Sequence, residues 1–300
     1  MQVEESVIND LKVKMFRLND LIIGIPTEIG PRVLYLAHKM KPKVNLFKVI
    51  PQNTAQTGDE IQQMYGGHRL WASPEVMPRT YSLDNSPVKV KTSVENITIY
   101  GNPETSNSVQ KQITFKPLAE KGVAVVHSIK NIGRWPISFG CWAISIMPEN
   151  GFAIIPLKPS KVDEPCLLPD RHVSLWPYTD LSDKRLKMKE CYIFVKPNAD
   201  NKSPCKIGAM ANPSWAAYWA NGTAFVKSFT KENGEYPDYG CSVEVYTNNG
   251  MLELETLGPI RTVQPGQSLQ HIETWNLINI PDLNPEPHSI NDKLEPLLCK

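Results

Sequence analysis

The most constraining feature of this sequence is a pair of alternating segments joined by a tight turn near its carboxyl end. Residues 242–247 (SVEVYT) are rich in strand formers, and residues 251–256 (MLELET) alternate apolar and polar side chains. Between them, Asn248-Asn249-Gly250 supplies residues that tolerate a positive φ. The pattern predicts a β-hairpin whose second strand carries Leu252, Leu254 and Thr256 on one face and Glu253 and Glu255 on the other.

Other segments have the same period of two, and helical periodicity is weak throughout. Strands are predicted over residues 88–94 (VKVKTSV), 122–129 (GVAVVHSI), 139–147 and 151–157. The 26 prolines and 17 glycines are scattered, which is typical of many short elements joined by turns. We therefore expect an all-β fold, an antiparallel sandwich or barrel, with one domain over residues 1–280 and a proline-rich arm over residues 281–300.

The charge balance restricts the class of partner. The 32 basic and 31 acidic residues give a formal net charge of +1, so no electrostatic footprint for a nucleic acid or an anionic membrane is expected. No apolar run approaches the roughly 20 residues of a membrane helix, and the first residues do not form a secretory signal. These features predict a cytoplasmic protein with a small partner.

The six cysteines include no C-x-x-C pair, and the histidines include no H-x-H or H-E-x-x-H spacing. We expect reduced cysteines and no metal site. Phosphate-cradling loops, the G-x-S-x-G nucleophile motif and the dinucleotide fingerprint are also absent from the sequence.

Two segments mix aromatic, basic and acidic residues next to proline. Residues 64–75 read MYGGHRLWASPE, and residues 171–180 read RHVSLWPYTD. Each could be a turn that sends a tryptophan into the core, or the wall of a cleft in which indole and phenol rings stack on a sugar while polar groups bind its hydroxyls. The cleft interpretation selects these candidates: His68, Arg69, Trp71, Arg171, His172, Trp176, Tyr178 and Asp180.

The strand carrying Glu253 and Glu255 offers a general base. If its acidic face lines a concave sheet, partial burial would raise the pKa of one carboxyl toward neutrality. Alternation alone does not choose between the two glutamates, because both point to the same side.

Several motifs, taken in order, resemble those of a mainly bacterial, uncharacterised family in the galactose-mutarotase-like superfamily. They are GGHRLW at 66–71, LWPYTDL at 175–181, LELETLGP at 252–259, PGQS at 265–268 and HIETW at 271–275. The resemblance extends from about Phe16 to Leu277. It implies a β-supersandwich of two large antiparallel sheets, one of which binds a sugar on its concave face, and a reaction without a cofactor. In aldose 1-epimerases of this superfamily, a carboxylate takes the proton of the anomeric hydroxyl while an acid protonates the ring oxygen.

The resemblance also implies roles for individual residues. Leu254-Glu255-Thr256 matches the strand of the catalytic glutamate, so Glu255 is the expected base. The usual acid is a histidine, but Trp142 stands near its place. Either His68 or His172 supplies the proton, or the site binds sugar without epimerising it.

The expected ligand is a sugar or a sugar phosphate. A phosphate would be held by arginines, because the guanidinium fork matches two of its oxygens. The candidates are Arg32, Arg69, Arg79 and Arg171.

The function is thus expected to be that of a carbohydrate-binding protein, and the choice between an enzyme and a binder stays open. The alternatives are an aldose or sugar-phosphate 1-epimerase, a non-catalytic recognition or sensing domain on the same scaffold, and, third in rank, a glycoside hydrolase or lyase. Hydrolysis would need a second carboxylate on the opposite wall of the cleft.

Overall fold

The structure is a computed structural model that describes residues 3–57, 60–160 and 168–298, with backbone alone for residues 51–57 and 60–63. In this part of the chain almost all regular structure is β. The strands, in chain order, are β1 (Val3–Ile8), β2 (Leu11–Leu18), β3 (Leu21–Pro26), β4 (Arg32–Val33), β5 (Tyr35–His38), β6 (Val49–Thr57), β7 (Glu60–Gly66), β8 (His68–Ser73), β9 (Lys89–Thr92), β10 (Ile97–Glu104), β11 (Val109–Pro117), β12 (Val123–Asn131), β13 (Ile137–Met147), β14 (Phe152–Pro156), β15 (Val173–Leu175), β16 (Leu186–Lys189), β17 (Tyr192–Val195), β18 (Cys205–Ala209), β19 (Trp215–Ala220), β20 (Thr223–Phe229), β21 (Val243–Asn248), β22 (Met251–Leu257), β23 (Arg261–Val263) and β24 (Ser268–Asn279).

Helical structure is confined to short pieces. They are a 3₁₀ turn (Arg79–Tyr81), α1 (Pro237–Gly240), α2 (Pro287–Ser289), a π-helical turn (Ile290–Leu294) and α3 (Glu295–Leu298). No helix in the described ranges has the length and apolar character needed to cross a membrane.

The named strands pair in antiparallel fashion and form two large sheets and two small ones. The ten-stranded sheet has the order β16-β17-β14-β19-β20-β24-β12-β11-β10-β9. The eight-stranded sheet has the order β15-β18-β21-β22-β13-β8-β4, with β23 paired to β13. A four-stranded sheet (β1-β2-β3-β5) and a hairpin (β6-β7) complete the set. The predicted all-β class with two large antiparallel sheets is confirmed.

The predicted hairpin is formed by β21 and β22. Val245 pairs with Leu254 and Asn248 with Met251, in the register that the turn implies. Asn249 and Gly250 both have a positive φ, 45° and 74°, as a two-residue hairpin turn requires. Since the turn fixes the register, it also fixes which face each side chain of β22 occupies.

The core lies between the two large sheets, and apolar residues of the four-stranded sheet also contribute to it. Leu252 and Leu254 of β22 are buried in it together with Trp275 of β24 and Phe16 of β2. The alternate residues of β22, Glu253 and Glu255, therefore point away from the core, toward the other face of the eight-stranded sheet.

The ten-stranded sheet has a second apolar layer on its outer face. Phe152 and Ile154 of β14 point to this side and pack with Leu283, Ile290 and Leu294 from the carboxyl-terminal segment. The predicted arm over residues 281–300 thus runs, as far as residue 298, as short helical turns with buried apolar side chains.

Candidate functional site

A cleft lies on the outer face of the eight-stranded sheet, over the adjacent strands β18, β21, β22, β13 and β8. These strands present alternate residues to it, and the segments around residues 64, 75–81 and 176–178 form its walls. Its volume is about 580 Å³. We call it the aromatic cleft; its lining residues are Met64, Arg69, Trp71, Glu75, Tyr81, Trp142, Trp176, Tyr178, Pro204, Lys206, Tyr246, Asn248, Met251 and Glu253.

One part of the floor is an ion pair covered by an indole ring. Arg69 Nη2 donates to Glu253 Oε1 at 3.2 Å, and the guanidinium carbon lies 3.9 Å from the centroid of Trp71. Both charged side chains are nearly buried. Burial raises the pKa of Glu253 to about 6, and the nearby Glu255 adds to this increase while Arg69 opposes it. Glu253 is therefore a carboxylate on the cleft surface whose pKa lies close to neutrality.

The centre of the floor is the ammonium group of Lys206. Its Nζ lies 2.7 Å from Glu244 Oε2 and 3.0 Å from Glu255 Oε2. It also lies 4.7 Å from the ring centroid of Trp142 and 4.6 Å from that of Trp176. Burial by itself would lower the pKa of Lys206, but Glu255 and Glu244 outweigh it and hold the pKa well above its usual value. Lys206 is thus a fixed cation.

The two glutamates beneath Lys206 have no exposed surface. Trp142 Nε1 donates to Glu255 Oε2 at 2.7 Å, while Glu255 Oε1 is buried without a hydrogen-bond partner. Burial raises the pKa of Glu244 well above its ordinary value in spite of the Lys206 ammonium. Glu255 is therefore separated from the cleft by Lys206 and Trp142.

The open rim is aromatic. Tyr178 is 44 % exposed and meets Tyr246 at a ring-centroid distance of 6.4 Å in a nearly perpendicular arrangement. Trp176 is partly exposed. Thr179 fixes this segment to β18, because its Oγ1 donates to the Lys206 carbonyl oxygen at 2.7 Å. Trp71 and Trp142, in contrast, are 7 % and 3 % exposed and belong to the floor.

Six of the predicted side chains line one cleft, and Glu255 lies directly beneath it. The six are Arg69, Trp71, Trp142, Trp176, Tyr178 and Glu253. The segment MYGGHRLWASPE also has the turn role considered above. Gly66 and Gly67 both have a positive φ, and a Cβ on them would lie 2.2 Å from the Lys48 carbonyl oxygen and 2.0 Å from that of Val33, respectively. These two glycines serve close backbone packing rather than ligand contact.

His68 does not face the cleft, which corrects the expectation that it meets Glu255 there. Successive residues of a strand point to opposite faces, so when Arg69 and Trp71 face the cleft, His68 and Leu70 face the core. His68 is fully buried between the sheets.

Four other predicted residues also lie away from the cleft. Arg32 is buried against Asp84 and donates to the Gly66 carbonyl oxygen. Arg171 donates to the Leu157 carbonyl oxygen and pairs with Asp170. Asp180 is exposed and accepts hydrogen bonds from Ser182. His172 is exposed and adjoins Gly240. Each of these residues belongs to a segment that lies in or beside the cleft, but its side chain points away from the cleft.

Sequence reasoning did not select five charged or phenolic side chains of the site: Glu75, Tyr81, Lys206, Glu244 and Tyr246. Glu75 lies in the mixed segment 64–75, and two of the others had a usable signal in the hairpin. Glu244 pairs with Glu255 and Tyr246 with Glu253, so the register counted back from the Asn249-Gly250 turn places both on the face of the two glutamates. Lys206 had none, because β18 joins β21 from a distant part of the chain.

A second polar group is enclosed between the two large sheets. We call it the inter-sheet cluster; it comprises His68, His127, Ser145, Lys227, Thr256, His271, Glu273 and Trp275. Lys227 Nζ lies 2.8 Å from Glu273 Oε1 and donates to the Ala143 carbonyl oxygen at 2.9 Å. Trp275 Nε1 donates to Glu273 Oε2 at 2.6 Å.

The hydrogen bonds of this cluster fix neutral histidine tautomers. His127 Nδ1 donates to the His271 carbonyl oxygen, so its Nε2 accepts from His68 Nε2 at 2.8 Å. His68 Nδ1 then accepts from Ser145 Oγ at 2.9 Å. Burial lowers the pKa of His127 to about 4 and that of His271 to about 3. The donor atoms of His68, His127 and Glu273 lie within 4.8 Å of one another, a spacing compatible with a metal ion, but they are already engaged in hydrogen bonds and ion pairs.

The described residues include four cysteines, and all four are free: Cys141, Cys191, Cys205 and Cys241. The other two, Cys166 and Cys299, lie outside the described residues.

The comparison with solved structures decides the fold family. The chain superimposes on a galactose mutarotase-like protein from Lactobacillus casei with a TM-score of 0.52 and 10 % identity, over 89 % of this chain and 100 % of that one. It matches a galactose mutarotase related enzyme from Lactobacillus acidophilus with a TM-score of 0.52 and 10 % identity, over 90 % and 98 % of the two chains. This chain has the galactose mutarotase-like fold. The galactose-mutarotase-like fold implied by the motifs is thereby confirmed.

A third similar structure belongs to a longer chain. A TPR-domain containing protein from Parabacteroides distasonis matches with a TM-score of 0.62 and 11 % identity, over 92 % of this chain but 49 % of that one. No protein-family profile and no curated protein sequence matches the chain. The likeness therefore concerns the galactose mutarotase-like fold, and the activity has to be argued from the cleft.

Proposed function

We propose that the aromatic cleft binds a carbohydrate and that this chain is a recognition protein rather than an epimerase. The observation that carries the proposal is the juxtaposition, in one cleft, of the partly exposed rings of Trp176, Tyr178 and Tyr246 with the polar groups of Arg69 and Glu253. A pyranose needs such a pair of surfaces, because its C–H faces stack on aromatic rings and its hydroxyl groups need planar donors and acceptors.

The dimensions and fold of the site support this assignment. A volume of about 580 Å³ lies within the range of roughly 300–1,000 Å³ that is usual for small-ligand sites. The similar solved structures include proteins named for galactose mutarotase, and sugar binding by this chain is inferred from that likeness together with the cleft.

The protonation chemistry of the cleft supports recognition over epimerisation. Ring opening requires a base at the anomeric hydroxyl and an acid at the ring oxygen. Among the described lining residues none is a histidine, and the predicted acid His68 faces the core. Lys206 has a raised pKa and is a poor proton donor at neutral pH, and an arginine does not give up its proton.

Binding is tested by titrating sugars against the protein with calorimetry and saturation-transfer NMR. Trp176→Ala should weaken binding about tenfold, since an aromatic contact and its buried area amount to about 1–2 kcal/mol. Trp135→Ala is a matched control, because Trp135 is 78 % exposed and lies outside the cleft. Equal effects of the two substitutions, or no binding by the unaltered protein, would refute the proposal.

A second candidate, an aldose 1-epimerase, is favoured by one observation, the pKa of about 6 at Glu253. The geometry supports Glu253 as the base in place of the Glu255 suggested by the Leu-Glu-Thr motif, because only Glu253 lines the cleft. Anomer exchange followed by NMR separates the two functions. A recognition protein leaves the exchange rate at its value in buffer. An epimerase accelerates it and loses about 10²–10⁴-fold in rate in Glu253→Gln.

A further inference from the structure

The charges of the aromatic cleft define which class of sugar fits it, on the assumption that the proposed carbohydrate binding holds. Two cationic side chains line the cleft among the described residues, and neither is available to an anion. Arg69 pairs with Glu253 at 3.2 Å, and Lys206 lies between Glu244 and Glu255 at 2.7 and 3.0 Å. A phosphate or carboxylate would have to displace a carboxylate that is already buried and paired.

The other arginines expected to hold a phosphate make their contacts outside the cleft. Arg32 pairs with Asp84, Arg79 donates to the Pro74 carbonyl oxygen, and Arg171 pairs with Asp170. None of these three lines the cleft.

Carboxyl groups outnumber cations in and directly beneath the cleft. The cations are two, Arg69 and Lys206. The carboxyl groups are four: Glu253, Glu255, Glu244 and Glu75. Glu75 extends the acidic side to the wall, where it accepts a hydrogen bond from the Tyr81 hydroxyl. If burial keeps Glu244 protonated, three carboxylates still face two cations. Above the pKa of Glu253, about 6, the cleft therefore has a net negative charge in either protonation state of Glu244.

The aromatic rings reinforce the same preference. The negative faces of indole and phenol rings attract cations. In this cleft the protein's own cations already occupy such positions, Arg69 over Trp71 and Lys206 between Trp142 and Trp176. The rings that remain partly exposed on the rim, Trp176, Tyr178 and Tyr246, offer the same surface to a ligand.

We propose that the aromatic cleft is selective for amino sugars with a free ammonium group, accepts neutral sugars more weakly, and excludes sugar phosphates and sugar acids. The ammonium group balances the excess of carboxylates, whereas a phosphate adds to it. The selectivity follows from the pairing of Arg69 and Lys206 and from the unbalanced carboxylates.

The test is a panel of hexoses matched in configuration and different in charge. In the gluco and galacto series, the hexosamine, N-acetylhexosamine, hexose, hexuronate and hexose 6-phosphate are titrated at low and high salt. Because one carboxylate charge is left uncompensated, the hexosamine should bind about five- to tenfold tighter than the hexose, and the anions should bind more weakly than the hexose by at least about the same factor. N-acetylation removes the ammonium charge, so the N-acetylhexosamine should lose the higher affinity of the hexosamine. High salt should reduce the differences in affinity between the charged and the neutral sugars.

Two variants connect the selectivity to named residues. Glu75→Gln should reduce the affinity ratio of hexosamine to hexose about two- to fivefold, whereas Glu95→Gln, an exposed position outside the cleft, should leave that ratio unchanged. Glu253→Gln releases Arg69 and should increase the affinity for hexose 6-phosphate, a gain that a folding defect would not produce. Circular dichroism verifies that each variant is folded.

Two outcomes overturn the inference, and they distinguish a failure of the charge selectivity from a failure of the proposed carbohydrate binding. Anions that bind as tightly as the hexosamine at low salt refute the charge selectivity alone. If no sugar of any charge binds, the carbohydrate proposal fails and the inference fails with it.

Discussion

The lysine of the inter-sheet cluster offers a sharp test of how the two large sheets are held together. Lys227 belongs to β20 of the ten-stranded sheet and is fully buried. Its Nζ pairs with Glu273 at 2.8 Å and also donates to the Ala143 and Leu254 carbonyl oxygens of the opposite sheet, at 2.9 and 3.3 Å. One ammonium group therefore neutralises a buried carboxylate and joins the two sheets. The substitution Lys227→Met retains most of the side-chain length and removes both functions.

The expected loss is large because the carboxylate stays behind. Breaking a buried ion pair by removing one partner typically costs about 3–5 kcal/mol. Burial would raise the pKa of Glu273, but in the intact protein the neighbouring cationic and imidazole groups together lower it, and the largest of these contributions comes from Lys227. Without it, burial should raise that pKa, so the loss should be greatest at high pH and should shrink as the pH falls and the carboxyl takes up a proton. A second substitution, Glu273→Gln, removes the stranded charge and should recover part of the loss.

The measurement is the free energy of unfolding from urea titrations at pH 7.5 and 5.5. Lys293→Met is the matched control, because Lys293 pairs with Asp282 at 2.9 Å on the surface and such pairs contribute about 0–1 kcal/mol. If Lys227→Met costs no more than Lys293→Met, or if its cost grows as the pH falls, the buried ion pair does not stabilise the packing of the two sheets.

Three further predictions concern stability and reactivity. The three histidines of the inter-sheet cluster have lowered pKa values, so between pH 6.5 and about 4 the unfolded chain binds protons that the folded protein does not. The free energy of unfolding should therefore decrease as the pH is lowered through this range, by about 1.4 kcal/mol per pH unit for each histidine. A free energy of unfolding that does not change with pH would contradict the neutral state of these histidines. Timed alkylation with mass mapping should modify the partly exposed Cys191 before Cys141, which is buried and whose pKa burial raises to about 12; simultaneous labelling would argue against the fold. Gly250→Ala should cost about 1–2 kcal/mol, because Gly250 has a φ of 74° and the new Cβ would meet Glu149; a neutral result would place the turn elsewhere.

The sequence alone predicted the parts of this protein that depend on local alternation and turn chemistry. The hairpin of β21 and β22 follows from a period of two on either side of Asn249-Gly250, and its register orients Glu253 and Glu255 together. The two mixed segments also pointed to the cleft, because the polar ends of tryptophan and tyrosine need partners. Trp71, Trp176 and Tyr178 line the cleft accordingly.

The face of the sheet that a side chain occupies, and the side chains that it contacts there, depended on the tertiary structure. His68 and Arg69 are adjacent in the sequence, but in β8 His68 points into the core and Arg69 into the cleft. The interpretation of this segment as a turn or a cleft wall could not assign the two side chains to different faces. Lys206 pairs with Glu244 and Glu255 only because β18 joins the hairpin from a distant part of the chain. Alternation and turn geometry act within a few residues, whereas the charge balance of the cleft arises from strands that meet only when the sheet is assembled. The sequence therefore determined the strands and the hairpin, and the packing of the sheet decided which charged groups remain available to a ligand.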